Sequence, residues 1–234
     1  MKLKEEIKNK LQDICDRGFI ETLRTGDTGI GFTLETLLGV EENNSSGADI
    51  DGLIELKAKR KEGSSRTTCF CLTPNWTSDI RRIIKKYGWD DPKKPERINF
   101  YTSLRYGAAT PQGLSVDIDG NSLFILGREG EKLAELPLQK VEGRFREKFP
   151  ELIIVSADSQ KEKGAKEKFW FNEAYHCRDL NISRITEVLK AGKLILEARM
   201  WMHKETGKLR DRGFAFRMSS KDTKELFGNV ERLV

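Results

Sequence analysis

The chain has 234 residues, 34% of them charged, yet its formal net charge is only +5. That length suits one large domain, or one core with a lobe, and buries a substantial core without covalent staples. The opening Met1-Lys2-Leu3-Lys4-Glu5-Glu6 lacks an apolar signal core, no segment has the roughly 20 apolar residues of a membrane span, and Cys15, Cys69, Cys71 and Cys177 do not form C-x-x-C pairs, so a cytoplasmic protein with reduced thiols, no zinc and no membrane association is expected.

Leu3 to Phe19 reads as an amphipathic helix with Ile7, Leu11, Ile14 and Cys15 on one stripe. A loop with Gly26, Gly29 and Gly31 follows, then a short helix over 32–38 stopped by Gly39, and a polar turn over Glu42 to Ser46. Strands are expected near 52–60 and 66–72, and a basic helix over 78–87 with Ile80, Ile83 and Ile84 facing inward. Further strands fall near 97–104, 112–118, 121–127 and 131–136, with Asp119-Gly120-Asn121 as a hairpin turn. A helix over 137–149 leads to an apolar strand over 151–157 and a charged loop over 161–168. A helix near 183–191, strands near 193–202 and 213–218, and a short C-terminal helix complete a mixed α/β pattern without the strand-helix alternation of a doubly wound sheet.

The stretch Asp49-Ile50-Asp51-Gly52-Leu53-Ile54-Glu55-Leu56-Lys57 carries the chemistry. Side chains on a strand alternate faces, so Ile54, Leu56 and Ala58 face the core while Glu55 and Lys57 stand together on the other side. A carboxylate among apolar neighbours is costly unless paired or metal-bound. Asp49 or Asp51 arrives from the preceding turn, and two acids suffice for magnesium, which keeps several waters. A lysine beside them positions or deprotonates a water and offsets phosphate charge, a complete set for phosphodiester hydrolysis. Glu35, at the edge of the Leu34, Leu37, Leu38 stripe, is a further candidate carboxylate.

The glycine loop lacks the Gly-Lys-Ser/Thr of a phosphate-binding loop and reads as a turn. His176 beside Cys177 reads as structural, because adjacency in sequence does not make a nucleophilic pair. Basic charge gathers in two places: residues 55–105 carry thirteen Lys/Arg against six Asp/Glu, and residues 193–217 carry seven against three, the local bias that phosphate binding needs. Within the second, Arg199 and His203 share a strand face, as do Arg210 and Arg212, and arginine forks match guanine edges.

Together these residues resemble the MvaI/BcnI family of type II restriction endonucleases, relatives of the mismatch-repair nicking enzyme MutH. Four segments carry the resemblance: Thr28 to Leu38, Asp49 with Glu55-Leu56-Lys57, Phe149 to Asp158, and Gly213-Phe214-Ala215-Phe216-Arg217. The resemblance implies a single restriction-endonuclease-like α/β (mixed α+β) domain over 1–234. Its PD-(D/E)xK core has a mixed central sheet flanked by helices, with a catalytic lobe over about 1–160 and a C-terminal recognition part over about 165–234, two lobes around a DNA-binding cleft. It places metal ligation on Asp49 and Glu55, with Lys57 and Glu35 completing the catalytic set, and DNA contacts on Arg199, His203, Arg210, Arg212 and Arg217. It further implies magnesium, double-stranded DNA, a GC-rich site, a monomer that nicks one strand at a time, 5′-phosphate and 3′-hydroxyl ends, and a cognate DNA methyltransferase. Close relatives carry histidines where this chain has Arg210 and Arg212, so their recognition sequence is not carried over. The alternatives are a MutH-like mismatch-repair nicking enzyme and a non-catalytic DNA-binding protein on the same fold.

Overall fold

A computed structural model of the chain describes residues 2–40, 47–63 and 66–234; the polar turn expected over 42–46 lies outside them. In chain order the elements are α1 (Lys2–Asp16), β1 (Ile20–Glu21), α2 (Gly29–Leu38), β2 (Ile54–Arg60), β3 (Thr67–Leu72), β4 (Asn75–Trp76), α3 (Ile80–Tyr87), β5 (Trp89–Asp90), β6 (Arg97–Leu104), β7 (Ser115–Asp119), β8 (Ser122–Leu126), β9 (Lys132–Pro137), α4 (Leu138–Lys148), β10 (Glu151–Gln160), β11 (Lys168–Leu180), α5 (Ser183–Lys190), β12 (Ile195–His203), β13 (Leu209–Met218), α6 (Ser220–Lys224) and β14 (Phe227–Arg232). They divide into two compact units, each assembled from separate stretches of chain. Unit one comprises Met1–Thr67, Arg146–Asn181 and Thr223–Val234; unit two comprises Thr68–Phe145 and Ile182–Asp222.

Unit one is built on a mixed sheet in the order β1-β11-β10-β2, with β14 also on β11. β10 runs parallel to β2, with Glu55 opposite Leu152 and Lys57 opposite Ile154, and antiparallel to β11. The unbroken apolar run Leu152 to Val155 is what a strand covered on both faces requires, and all four residues are buried. Ile7, Leu11 and Ile14 of α1 and Ile30, Leu34 and Leu38 of α2 pack with Ile54, Leu56, Ile153 and Val155 in one core. The expected α1 stripe is thereby present, except that Cys15 is only partly buried. Helix α2 starts three residues earlier than its apolar pattern suggested, drawing Gly29 and Gly31 into its first turn. A Cβ on Gly29 would lie 2.2 Å from the Arg24 carbonyl oxygen, so this glycine serves close approach of chain to helix.

Three strands of this sheet escaped the sequence reading: the two-residue β1, β11 and β14. Across β11 the register shifts opposite Ser156 and Ala157, leaving Asn172 as a bulge. Core contacts come from Phe169, Phe171 and Ala174, a spacing of two and then three that breaks the period-two signature. β14 is an edge strand of largely exposed residues. The charged 161–167 loop, expected as a join between lobes, connects β10 to β11 within unit one.

Unit two holds a sheet in the order β3-β13-β12-β6-β5 and a second in the order β4-β9-β8-β7. Phe70 meets the Phe145 and Phe216 rings at centroid distances of 4.8 and 5.1 Å. Ile83, Ile84 and Tyr87 are the buried residues of α3, with Ile80 at its margin. Residues 120 and 121 close the β7–β8 hairpin as expected, Gly120 at a φ of 58°. No helix among the described residues is long and apolar enough to cross a membrane.

Candidate functional site

The site forms where the chain turns into β2. Asp51 and Gly52 both take positive φ, 52° and 67°, and the Leu53 N–H donates to the Ile50 carbonyl at 2.9 Å. This reverses the chain so that Asp49 lies back against the strand. The Leu56 N–H donates to Asp49 Oδ2 at 2.9 Å, fixing one carboxylate oxygen and leaving Oδ1 turned toward the site. Asp51 stays exposed in the turn. Of the two acids the sequence left open, Asp49 is therefore the one held beside Glu55.

Glu55 is fully buried, on the face opposite Ile54 and Leu56. Its Oε1 accepts a hydrogen bond from Lys57 Nζ, the neighbour that strand alternation predicts. Its Oε2 faces Lys148, the last residue of α4, whose Nζ lies 2.8 Å away. At that distance the two form a close ion pair, which lowers the Glu55 carboxyl's hold on its proton. Lys148 Nζ also donates to the Gly47 carbonyl at 2.7 Å and approaches Asp49 Oδ1 at 3.4 Å. Burial pushes the Glu55 carboxyl above its ordinary value; Lys57 opposes that rise, nearby Asp49 adds to it, and Lys148 opposes it.

These oxygens fit a hard divalent cation. Asp49 Oδ1, Glu55 Oε2 and the Gly47 carbonyl converge on one point, now marked by an ammonium. Carboxylate and carbonyl oxygens aimed together at a cation are the donor set a hard divalent ion selects. Among the described residues no group of three or more His, Cys, Asp or Glu gathers around a metal position. Glu35 is accordingly not clustered with Asp49 and Glu55. It lines a separate cleft of about 310 Å³ with Arg24, Asp27, Phe32 and Ala58, the last on the core face of β2.

The expected DNA-contacting residues lie in unit two. Arg199 and His203 share the half-exposed face of β12 with Glu197 and Trp201, while Ala198, Met200 and Met202 are buried. Glu197 grips two of the arginines: Arg199 Nε donates to its Oε1 at 3.0 Å and Arg217 Nη1 donates to its Oε2. Burial would raise the Glu197 carboxyl, but the two guanidiniums outweigh it and hold the group below its ordinary range. Arg210 is exposed opposite Trp201. A register shift then intervenes, pairing Ala198 with Phe214 and Met200 with Asp211. Arg212 therefore falls in a bulge, and the strict alternation that set it on one face with Arg210 is interrupted.

Lys148 and Glu197 were missed. Nothing in spacing marks Lys148, which reaches the site only because α4 delivers it to the start of β10. Glu197 sits two residues before Arg199, and alternation alone would have put the pair on one face. His176 is structural as expected: it is buried, with Nε2 2.6 Å from Glu151 Oε2. The Cys177 thiol is pushed up to about 11 by burial, which disfavours a reactive thiolate.

An acid held by the backbone at the entry to a strand, a buried glutamate within that strand and a lysine two residues on lie in a mixed α+β fold of the PD-(D/E)xK class. The MvaI/BcnI restriction endonuclease family model matches residues 8–227, and the chain belongs to that family, whose members are site-specific deoxyribonucleases. Two solved structures share the fold. The complex of restriction endonuclease MvaI with cognate DNA is 24% identical, with 97% of this chain and 96% of that one covered and a TM-score of 0.79. MvaI in the absence of DNA is 23% identical, with 98% and 97% covered and a TM-score of 0.61. No curated protein sequence matches the chain.

Proposed function

We propose that the chain is a magnesium-dependent type II restriction endonuclease that hydrolyses double-stranded DNA at a short GC-rich site. The observation that carries this reading is the convergence of Asp49 Oδ1 and Glu55 Oε2 on one cation position with Lys57 alongside. Asp49 and Glu55 would hold the metal. Magnesium bound there would supply a Lewis acid at the scissile phosphate and a water that ionises more readily. Lys57 orients that water and offsets charge on the phosphate. Glu35 is assigned to water placement on the family resemblance. The water displaces the 3′ oxygen in line, leaving 5′-phosphate and 3′-hydroxyl ends.

Double-stranded DNA is carried over from the MvaI complex with its cognate DNA. In this chain Arg199, His203, Arg210, Arg212 and Arg217 are assigned to bases and phosphates. Glu197 holds Arg199 and Arg217 in fixed directions before DNA arrives, which suits the planar fork-to-guanine contact. Family likeness supports a monomer that nicks one strand at a time, a cytoplasmic location, and a cognate methyltransferase that protects host DNA.

Digestion of a supercoiled plasmid of known sequence with magnesium, followed by end mapping, tests this reading. Discrete fragments with 5′ phosphates, and an open-circle intermediate ahead of linear product, are expected. Cuts at random positions, or none with magnesium, would contradict it.

A further inference from the structure

Lys148 has no role in the metal centre proposed above, yet its ammonium touches three oxygens of that site. Each carboxylate has one oxygen already engaged: Asp49 Oδ2 by the Leu56 N–H at 2.9 Å, and Glu55 Oε1 by Lys57. The remaining oxygens, Asp49 Oδ1 and Glu55 Oε2, both point at Lys148 Nζ, at 3.4 and 2.8 Å, and the Gly47 carbonyl closes the set at 2.7 Å. An ammonium has three donors and no acceptor. Here it meets two carboxylates and a carbonyl, the oxygen types a hard divalent ion selects.

We propose that Lys148 is an internal counter-cation of the catalytic carboxylates, its ammonium occupying the position between Asp49 and Glu55 that the divalent ion takes, and withdrawing when the ion binds. This inference rests on the metal-centre reading above. Without a cation the two carboxylates would repel at close range around a fully buried Glu55. Lys148 removes that repulsion and keeps both oxygens aimed at one point. Its single positive charge is divided among Glu55 Oε2, Asp49 Oδ1 and the Gly47 carbonyl, so a divalent ion of twice the charge competes for the same oxygens. The lysine stem is flexible and its side chain keeps 15% exposure, an exit toward solvent. Lys57 differs: it engages the other oxygen of Glu55 and does not contest the metal position.

Mn²⁺ binding to the full chain without DNA, followed by electron paramagnetic resonance at pH 7.5, tests the proposal independently of cleavage. Lys148→Met is expected to bind Mn²⁺ about tenfold more tightly than the native chain, the order expected when one positive charge beside a divalent ion is removed from a partly screened site. Lys148→Arg keeps a cation there and should bind no tighter than the native chain. Equal or weaker binding by Lys148→Met, with Asp49→Asn having lost Mn²⁺, overturns the counter-cation role alone. Undiminished binding by Asp49→Asn overturns the metal-centre reading, and the role with it. Should Lys148→Met fail to fold, the native chain still decides: Ca²⁺ should speed acetylation of the Lys148 amine by a water-soluble amine reagent, read by peptide mass spectrometry, and an unchanged rate overturns the proposal.

Discussion

Glu55 shows how far a single residue could be read in advance. Its place in an apolar run marked it as a charge in need of partners, and alternation named Lys57 as one of them. The other partner, Lys148, lies 93 positions away in sequence and left no pattern to follow. The balance at Glu55 makes a prediction. Burial outweighs the opposing lysines and raises the folded-state value above the ordinary one near 4.5. A raised acid binds its proton more tightly when folded, so its contribution to stability is complete below about pH 4.5 and is lost as pH rises through the folded value. At neutral pH the ionised carboxylate therefore costs stability. Glu55→Gln should melt above the native chain at pH 7.5 in chelator, and the gap should close as pH falls toward 4.5. Calorimetry across that range checks it, and a lower melting temperature at pH 7.5 would reverse the assignment of burial as the dominant effect. The same variant should lose cleavage by two or more orders of magnitude, as expected on removing a catalytic metal ligand.

At the scale of elements, the strands that carry the site were legible because each obeys one rule throughout. β2 alternates, and β10 opens its buried length with the apolar run Leu152 to Val155. β11 and β13 were harder because bulges change the period partway along them. Helix α2 was clear in its apolar stripe and in Gly39, which caps it at a φ of 75°, whereas its start was hidden by glycines that look like loop. The bulge in β13 has a structural requirement of its own. Gly213 takes a φ of 66°, and a Cβ there would lie 2.6 Å from the Leu72 carbonyl oxygen. Left-handed backbone and backbone contact both disfavour a side chain, so Gly213→Ala should destabilise the chain by about 1–3 kcal/mol. Arg212 sits in the same bulge, so the variant should also blur discrimination between DNA sites. Urea unfolding and competition binding measure the two effects. Unchanged stability would mean that β3 yields at Leu72.

For the whole molecule, the family-like segments supplied the fold class, and the expectation of no membrane-spanning helix agrees with the described helices. The division into units was beyond the sequence, because each unit is assembled from stretches far apart in the chain and no Pro- or Gly-rich linker marks the crossings. The division has a functional consequence: the acid–lysine set belongs to unit one and the arginine-bearing strands to unit two. Cutting and reading should therefore separate under mutation. Lys57→Ala removes the lysine beside Asp49 and Glu55 without touching Arg199, Arg210, Arg212 or Arg217. Cleavage and binding by that variant, measured side by side on one DNA duplex bearing the mapped site, test the central claim most directly. The account predicts that strand cleavage with magnesium falls by about 10²- to 10⁴-fold while site-specific binding stays near native. Native-rate cleavage by Lys57→Ala would contradict it.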